Sequence, residues 1–221
     1  MAWRRLDRQG AETLIPGTLG MSFKETLKVI ARGIARLAIM PMFVSYCVRA
    51  LADKDQAFRS SSQFLSLFPG IFGDEFYRRT LAECAKTAQI SFGTLFSSVA
   101  AKVGERAYIG GYCIIGHADI GRDVLLGSGV HLLSGKHQHG IDDVELPIRC
   151  QPRRFERISI GDDTWIGDNA TILANVGKKC VVGAGSVVVS DIPECSIAAG
   201  NPAKVFAPRE RRSGSGGSAS W

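Results

Sequence analysis

The sequence predicts a mainly β fold, a parallel β-helix preceded by an α-helical segment, and three observations carry that expectation. Aliphatic residues mostly followed by glycine recur about every six positions: Val103-Gly104, Ile109-Gly110, Ile115-Gly116, Ile120-Gly121, Leu126-Gly127, Ile160-Gly161, Ile166-Gly167 and, later, Val182-Gly183. That period fits neither a helix nor the simple alternation of a hairpin strand, so it reads as an internal repeat. Each repeat is one short strand and one corner. The aliphatic residue points inward, and glycine, or the Asp and Asn that often follow it, tolerates the positive φ of a sharp corner. Three repeats make one triangular coil, which buries its apolar face only when coils stack. The second observation is a break: the repeat stops near Ser134 and resumes after Arg157. A gap of that kind in a solenoid is an excursion from one face, where binding residues commonly sit. The third is a basic amphipathic segment ahead of the repeats.

The elements follow in chain order. Residues 1–20 form a polar arm carrying Arg4, Arg5 and Arg8, and residues 21–85 a helical segment suited to a membrane interface. Ser22 stands at an N-cap position with Glu25 three residues on, a capping-box pattern. Lys24, Lys28, Arg32 and Arg36 then follow at steps of four along one helical face, while Leu27, Ile30, Ile34 and Leu37 occupy another. Cations over anionic headgroups with Leu and Phe below them suit a helix lying in a lipid surface. The broken apolar stretch from Phe64 to Phe72 points the same way. The alternative is a helical cap packed on the end of the β-helix or on a neighbouring subunit. The β-helix spans 86–207 with its excursion at 134–157, and residues 208–221, rich in Gly and Ser from Ser213, read as a flexible tail. The register is uneven: one step is a residue short between Ile115 and Ile120, and two are compressed between Ile172 and Val176, which predicts a tightened corner.

Composition narrows the function classes. At 221 residues the chain holds one core and an appendage. A net charge of +6 and a pI near 9.1 suit anionic partners, whether lipid, phosphorylated cofactor or nucleic acid. Cysteines at 47, 84, 113, 150, 180 and 195 form no CxxC pair and read as reduced, buried small hydrophobes. The longest apolar run, Leu37 to Val48, contains Pro41 and falls short of the roughly 20 residues a spanning helix needs.

Three motifs surround the excursion: His137-Gln138-His139-Gly140 where the repeats stop, Thr164-Trp165-Ile166-Gly167 where they resume, and Gly183-Ala184-Gly185-Ser186 followed by Asp191-Ile192-Pro193 and Ala199-Gly200-Asn201-Pro202-Ala203-Lys204-Val205. Over roughly residues 100–207 these resemble the hexapeptide-repeat acyltransferases, whose fold is a left-handed parallel β-helix, especially the maltose, galactoside and capsule or exopolysaccharide O-acetyltransferases. The resemblance implies acetyl-CoA as co-substrate, a sugar hydroxyl as acceptor, a homotrimer and no metal. It puts His137 at the catalytic histidine, with His139 as runner-up base or substrate-orienting group. An imidazole of ordinary pKa near 6.5 can take the proton of a hydroxyl as it attacks a thioester. His117 and His131 lie within repeats and read as core or surface residues. By the same resemblance Trp165 lies beside the acetyl group and pantetheine, Gly183, Ala184 and Gly185 let the backbone approach the pantetheine arm, and Asn201, Pro202 and Lys204 complete the cofactor set. Lys178, Lys179, Lys204 and Arg209 are the cations available to the coenzyme phosphates. Many relatives carry Thr-Lys before Asp-Ile-Pro where this chain has Val189-Ser190, which shifts weight to Lys204. Arg149, Arg153, Arg154 and Arg157 make the excursion basic: either a solvated loop or a contact to a diphosphate.

The expected activity is therefore O-acetylation of a sugar in polysaccharide or glycolipid synthesis, with the acceptor lipid-linked or nucleotide-linked. The expected place is the cytoplasmic face of a bacterial inner membrane, on an anionic surface, with no nucleic-acid partner. An amino-sugar N-acetyltransferase or a xenobiotic acetyltransferase would use the same histidine. A metal-dependent β-helix enzyme of the γ-carbonic-anhydrase kind would need three imidazoles, and a scaffold with a silent site would not bind acetyl-CoA.

Overall fold

The computed structural model describes residues 23–66 and 71–209. The polar arm with its arginines, the Ser22 cap, Leu67–Gly70 within the Phe64–Phe72 stretch, and the Ser213–Trp221 tail lie outside the described residues. Four helices come first, α1 (Phe23–Ala38), α2 (Met40–Ala50), α3 (Lys54–Leu65) and α4 (Ile71–Thr80). A parallel β-helix of about six turns follows. The first coil holds β1 (Glu83–Cys84), β2 (Gln89–Ile90) and β3 (Leu95–Phe96); the second β4 (Lys102–Val103), β5 (Tyr108–Ile109) and β6 (Ile114–Ile115); the third β7 (Ala118–Ile120), β8 (Leu125–Leu126) and β9 (His131–Leu132). After the excursion the fourth holds β10 (Ile158–Ile160), β11 (Trp165–Ile166) and β12 (Thr171–Ile172), the fifth β13 (Val181–Val182) and β14 (Val187–Val188), and the last β15 (Ser196–Gly200), on which β16 (Ala203–Pro208) folds back antiparallel.

Three faces result. The first sheet stacks β1-β4-β7-β10 and continues through bridges at Val176 and Ile192, the second runs from β2 to β16, and the third stacks β3-β6-β9-β12-β14. Each strand sends one aliphatic residue inward, so Ile109, Leu126, Ile166 and Val182 form one fully buried column, and Ile115, Leu132, Ile172 and Val188 another. The outward residues differ by face. The first sheet shows a polar ladder, with Lys102 beside Asp119 and Ser159 bonded to Asn175, which in turn bonds Asp191. The second shows Tyr108, Leu125 and Trp165, each more than 40% exposed. The compressed step from Ile172 to Val176 appears where the first face shrinks to a single bridging residue.

The glycine that follows each aliphatic residue has a different job from the one the sequence suggested. None of Gly104, Gly110, Gly121, Gly127, Gly161 or Gly167 is among the positive-φ residues. Positive φ falls two positions later, at Arg106, Tyr112, Asp123, Gly129, Asp163 and Asn169. The glycine is needed because the next coil lies against it: a Cβ on Gly110 would stand 2.6 Å from the carbonyl carbon of Gly127, and one on Gly167 would stand 2.5 Å from the nitrogen of Ala184. Small side chains fill the corners. Thr164 Oγ1 donates to the Gly177 carbonyl at 2.8 Å and accepts from the Cys180 amide at 3.1 Å. Cys113 and Cys180 are buried as expected and burial pushes both thiols up, whereas Cys47 on α2 and Cys150 in the excursion are exposed. All six cysteines are free.

The helical segment divides in two. α3 and α4 seal the first coil, their aromatic rings running from Phe58 through Phe76 and Tyr77 to Phe96, with Tyr77 and Phe96 centroids 4.7 Å apart. Ser62 Oγ accepts from the Phe96 amide and pairs with the Tyr77 hydroxyl, which donates to the Thr94 carbonyl at 3.1 Å. These bonds satisfy groups at the open end of a sheet, and burial pushes the Tyr77 phenol up to about 12. α1 and α2 instead leave Leu27, Ile30, Ile34, Leu37, Val44 and Val48 more than half exposed. No helix among the described residues is long and apolar enough to cross a membrane.

Because the next coil's backbone cannot yield to a new methyl group, Gly110→Ala should cost about 1–3 kcal/mol of stability. Gly185→Asn, at an open left-handed corner, should stay within about 0.5 kcal/mol. Urea midpoints decide; equal losses would show that conformation, not close approach, selects the repeat glycine.

Candidate active site

The excursion leaves at the corner between the third and first faces and is tied back at its root. The Glu156 amide donates to the Ser134 carbonyl at 2.9 Å, the Ile158 amide to the His117 carbonyl at 3.1 Å, and the His117 amide to Ser134 Oγ at 2.9 Å. Further out, buried Gln151 holds the loop's shape: its Nε2 donates to the carbonyls of Asp143 and Leu146, and its Oε1 accepts from the Asp143 amide. His137 sits just beyond the root, 60% exposed, with Nδ1 3.7 Å from Glu156 Oε1. Arg154 Nε reaches the same oxygen at 3.1 Å. His139 is exposed two residues on, past Gln138, whose Nε2 donates to the Gly135 carbonyl. Among the described residues no three His, Cys, Asp or Glu side chains gather as a metal site.

A cleft of ≈ 410 Å³ lies on the second face, spanning the fourth, fifth and sixth coils. Trp165, half exposed, forms one wall; Val181, Ile197 and Phe206 are apolar walls, and Gly183, Ala184 and Ala199 keep the floor low. Thus Trp165, Gly183 and Ala184 of the expected cofactor set meet in one place. Gly185 adjoins them at φ 66, Asn201 and Pro202 form the exposed turn between β15 and β16, and Lys204 lies exposed on β16. Phe206, Val181 and Ile197 had not been anticipated. Only the antiparallel return of β16 brings Phe206 over the cleft, and a six-residue repeat carries no sign of such a reversal.

The cations sort themselves by pairing. Lys178 is bound to Glu194 at 3.1 Å, Arg209 to Asp163, and Arg157 to Asp119. Among the described residues Lys179, Lys204, Arg149 and Arg153 have no ion-pair partner. Of the lysines expected at the coenzyme phosphates, Lys178 is thus already engaged while Lys179 and Lys204 are not.

His137 and the cleft do not share a face within one chain. The excursion starts from the end of the third face, whereas Trp165 points out from the second.

Comparison with known proteins accords with this layout. Residues 157–190 match the family described as the hexapeptide repeat of succinyl-transferase. A probable acetyltransferase of Mycobacterium tuberculosis is 38% identical over 94 residues, 42% of this chain and 31% of that protein. A putative lipopolysaccharide biosynthesis O-acetyl transferase of Escherichia coli is 33% identical over 121 residues, 52% of this chain and 60% of that protein. The chain therefore spans less than two thirds of these curated relatives. Among solved structures, a maltose O-acetyltransferase from Clostridium difficile superposes with a TM-score of 0.62 at 25% identity, over 72% of this chain and 90% of that one. A galactoside acetyltransferase in complex with coenzyme A gives 0.61 at 22%, over 72% and 84%, and shares the fold. Repeat, coil stacking and these likenesses agree: the chain is a parallel β-helix built on a six-residue repeat, and it resembles the hexapeptide-repeat acyltransferases.

Proposed function

We propose that the protein transfers the acetyl group of acetyl-CoA to a sugar hydroxyl, with His137 as general base. The observation that carries this reading is the combination of a low-floored apolar cleft beside Trp165 with an exposed imidazole whose Nδ1 faces a carboxylate. With Nδ1–H turned to Glu156, His137 Nε2 is the ring atom left to work as base. It takes the proton of the acceptor hydroxyl as that oxygen attacks the thioester carbonyl. The tetrahedral adduct then collapses, the carbon–sulfur bond breaks, and the imidazolium returns its proton to the coenzyme thiolate. The relatives' own names support a sugar acceptor and the O-acetyl outcome. The cleft suits the pantetheine arm and thioester, and Lys204 and Lys179 are the cations left for the phosphates.

The site on this reading is completed by a second copy. His137 belongs to one corner of the prism and the cleft to another face, so a thioester held in the cleft meets the base of an adjacent protomer in a closed trimer. The exposed Tyr108, Leu125 and Trp165 supply an apolar face for that association. The polysaccharide setting and the cytoplasmic face of a bacterial inner membrane are likewise part of the proposal. The first rests on the likeness to the lipopolysaccharide biosynthesis O-acetyl transferase, the second on the cation spacing of α1 and on the apolar residues that α1 and α2 leave exposed.

His137→Ala should lower kcat at least about 10² while leaving acetyl-CoA affinity unchanged, and Glu156→Gln should lower kcat by a smaller factor. Near-normal turnover in His137→Ala would transfer the role to His139. Shared sites are tested by mixing. His137→Ala and Ala184→Trp subunits, each inactive alone, should regain about a quarter of wild-type activity when co-refolded as trimers with one site per interface. No recovery from mixed trimers would place the whole site in one chain. Charge reversal at Lys28, Arg32 and Arg36 should weaken attachment to anionic vesicles and make it salt-sensitive, since each cation near such a surface is worth about 1 kcal/mol, yet spare transfer to a soluble acceptor. Full pelleting of the reversed protein at physiological salt would remove the electrostatic anchor.

A further inference from the structure

The end of α2 and the start of α3 enclose a second cavity, of ≈ 290 Å³, away from the cleft on the β-helix. Arg49, Asp53, Gln56 and Ser60 line it, and Ala52 and Ala57 are too small to fill it. It carries a cation and an anion that do not pair with each other. Arg49 Nη2 donates to Ser60 Oγ at 2.9 Å, Ser61 Oγ at 3.1 Å and the Ala57 carbonyl at 3.3 Å, which ties α2 to α3. Asp53 Oδ1 accepts from the Gln56 amide at 2.8 Å and caps α3. These structural duties leave Arg49 Nη1 and Nε, and Asp53 Oδ2, without a hydrogen-bond partner among the described residues. Opposite charges that share one open cavity but are held too far apart to meet fit a ligand bearing the complementary pair. Such a ligand offers an acid oxygen to the guanidinium and an ammonium to the carboxylate.

The surroundings say what else the ligand carries. Met40, Val44, Val48 and Leu51 follow at steps of four, four and three, so they share one face of α2 and its C-cap. All four are exposed, Leu51 by 89%. The stripe ends at the cavity, since Val48 and Leu51 adjoin Arg49 and Ala52 in the chain. A polar head held between Arg49 and Asp53 therefore has an apolar surface beside it for acyl chains. A phosphate and a primary ammonium on a short spacer, attached to a diacylglycerol, make the head of phosphatidylethanolamine. A choline head lacks an N–H to donate to Oδ2, a glycerol head lacks the cation, and a serine head adds a carboxylate that Asp53 repels.

We propose that the cavity between α2 and α3 binds the phosphoethanolamine head of a membrane lipid, with Arg49 taking the phosphate, Asp53 the ammonium, and the α2 stripe lying among the acyl chains. The proposal rests on the membrane-surface reading given above. To the sequence-independent attraction of the α1 cations it adds a preference for one headgroup.

The test sediments the full-length protein with vesicles of phosphatidylcholine alone, with added phosphatidylethanolamine, or with added phosphatidylglycerol. Phosphatidylethanolamine should raise the partition coefficient roughly tenfold over phosphatidylcholine alone, the lower end of what a hydrogen bond between charged groups is worth. Asp53→Asn still caps α3 but loses the partner of the ammonium, so it should bring the two coefficients within about twofold and leave binding to phosphatidylcholine unchanged. In wild-type protein labelled with ¹⁵N at arginine, dihexanoyl phosphatidylethanolamine should shift the Arg49 Nε signal, assigned by its loss in Arg49→Lys. Free O-phosphoethanolamine should give the same shift only at much higher concentration; equal affinity would make the ligand a soluble one and overturn the lipid. Equal partition of the wild-type chain with and without phosphatidylethanolamine overturns the site, and that comparison needs no variant. An Arg49 signal unmoved by the short-chain lipid overturns it as well. So does a preference that survives Asp53→Asn, because lipid packing would then be its cause. Failure to bind even the phosphatidylglycerol vesicles would sink the membrane-surface reading and this site with it, whereas equal partition beside intact binding to phosphatidylglycerol sinks the site alone.

Discussion

Close approach of one coil's backbone to the next is the constraint on which this molecule depends. At each repeat glycine the neighbouring chain stands where a Cβ would be, so the coils stack without an intervening layer of side chains. That proximity lets strands of two residues survive, because each one between the end coils is hydrogen-bonded to the coils above and below. It also fixes the level of each outward side chain. Trp165, Val181 and Ile197 form one wall only because their strands pair in register along the second face.

An end coil lacks such a neighbour on one side, and the helices meet that need. Ser62 and Tyr77 serve the backbone of the first coil, and Phe76 and Tyr77 continue its core. Of the two roles weighed for the segment from 21 to 85, α3 and α4 take that of the cap, while α1 and α2 leave apolar side chains uncovered. A helix with an exposed apolar stripe is costly in water and is usually matched to another surface.

Much of the fold was legible because the repeat writes inside and outside directly into the sequence. Ile109 and Leu126 could be assigned to the core from spacing alone. The close-approach role of Gly110 could not, since it depends on what lies in the next coil. The same limit applies at the site. Trp165, Gly183 and Ala184 were recognisable from their motif. That Lys178 is engaged by Glu194, that Phe206 folds over the cleft and that His117 lies under the excursion are facts of coil stacking and strand return. A six-residue period gives a residue's direction but not its neighbour across the stack.

The root of the excursion has one further consequence. Ser134 and Glu156 are hydrogen-bonded to each other, and Leu126 pairs with Ile166 as if no residues had been inserted between the third and fourth coils. Lengthening a loop whose ends already meet adds little closure entropy, about 0.6 kcal/mol for each doubling. The excursion is therefore a replaceable part. Its length and sequence beyond the root can change while the coils on either side and the cleft they form keep their register.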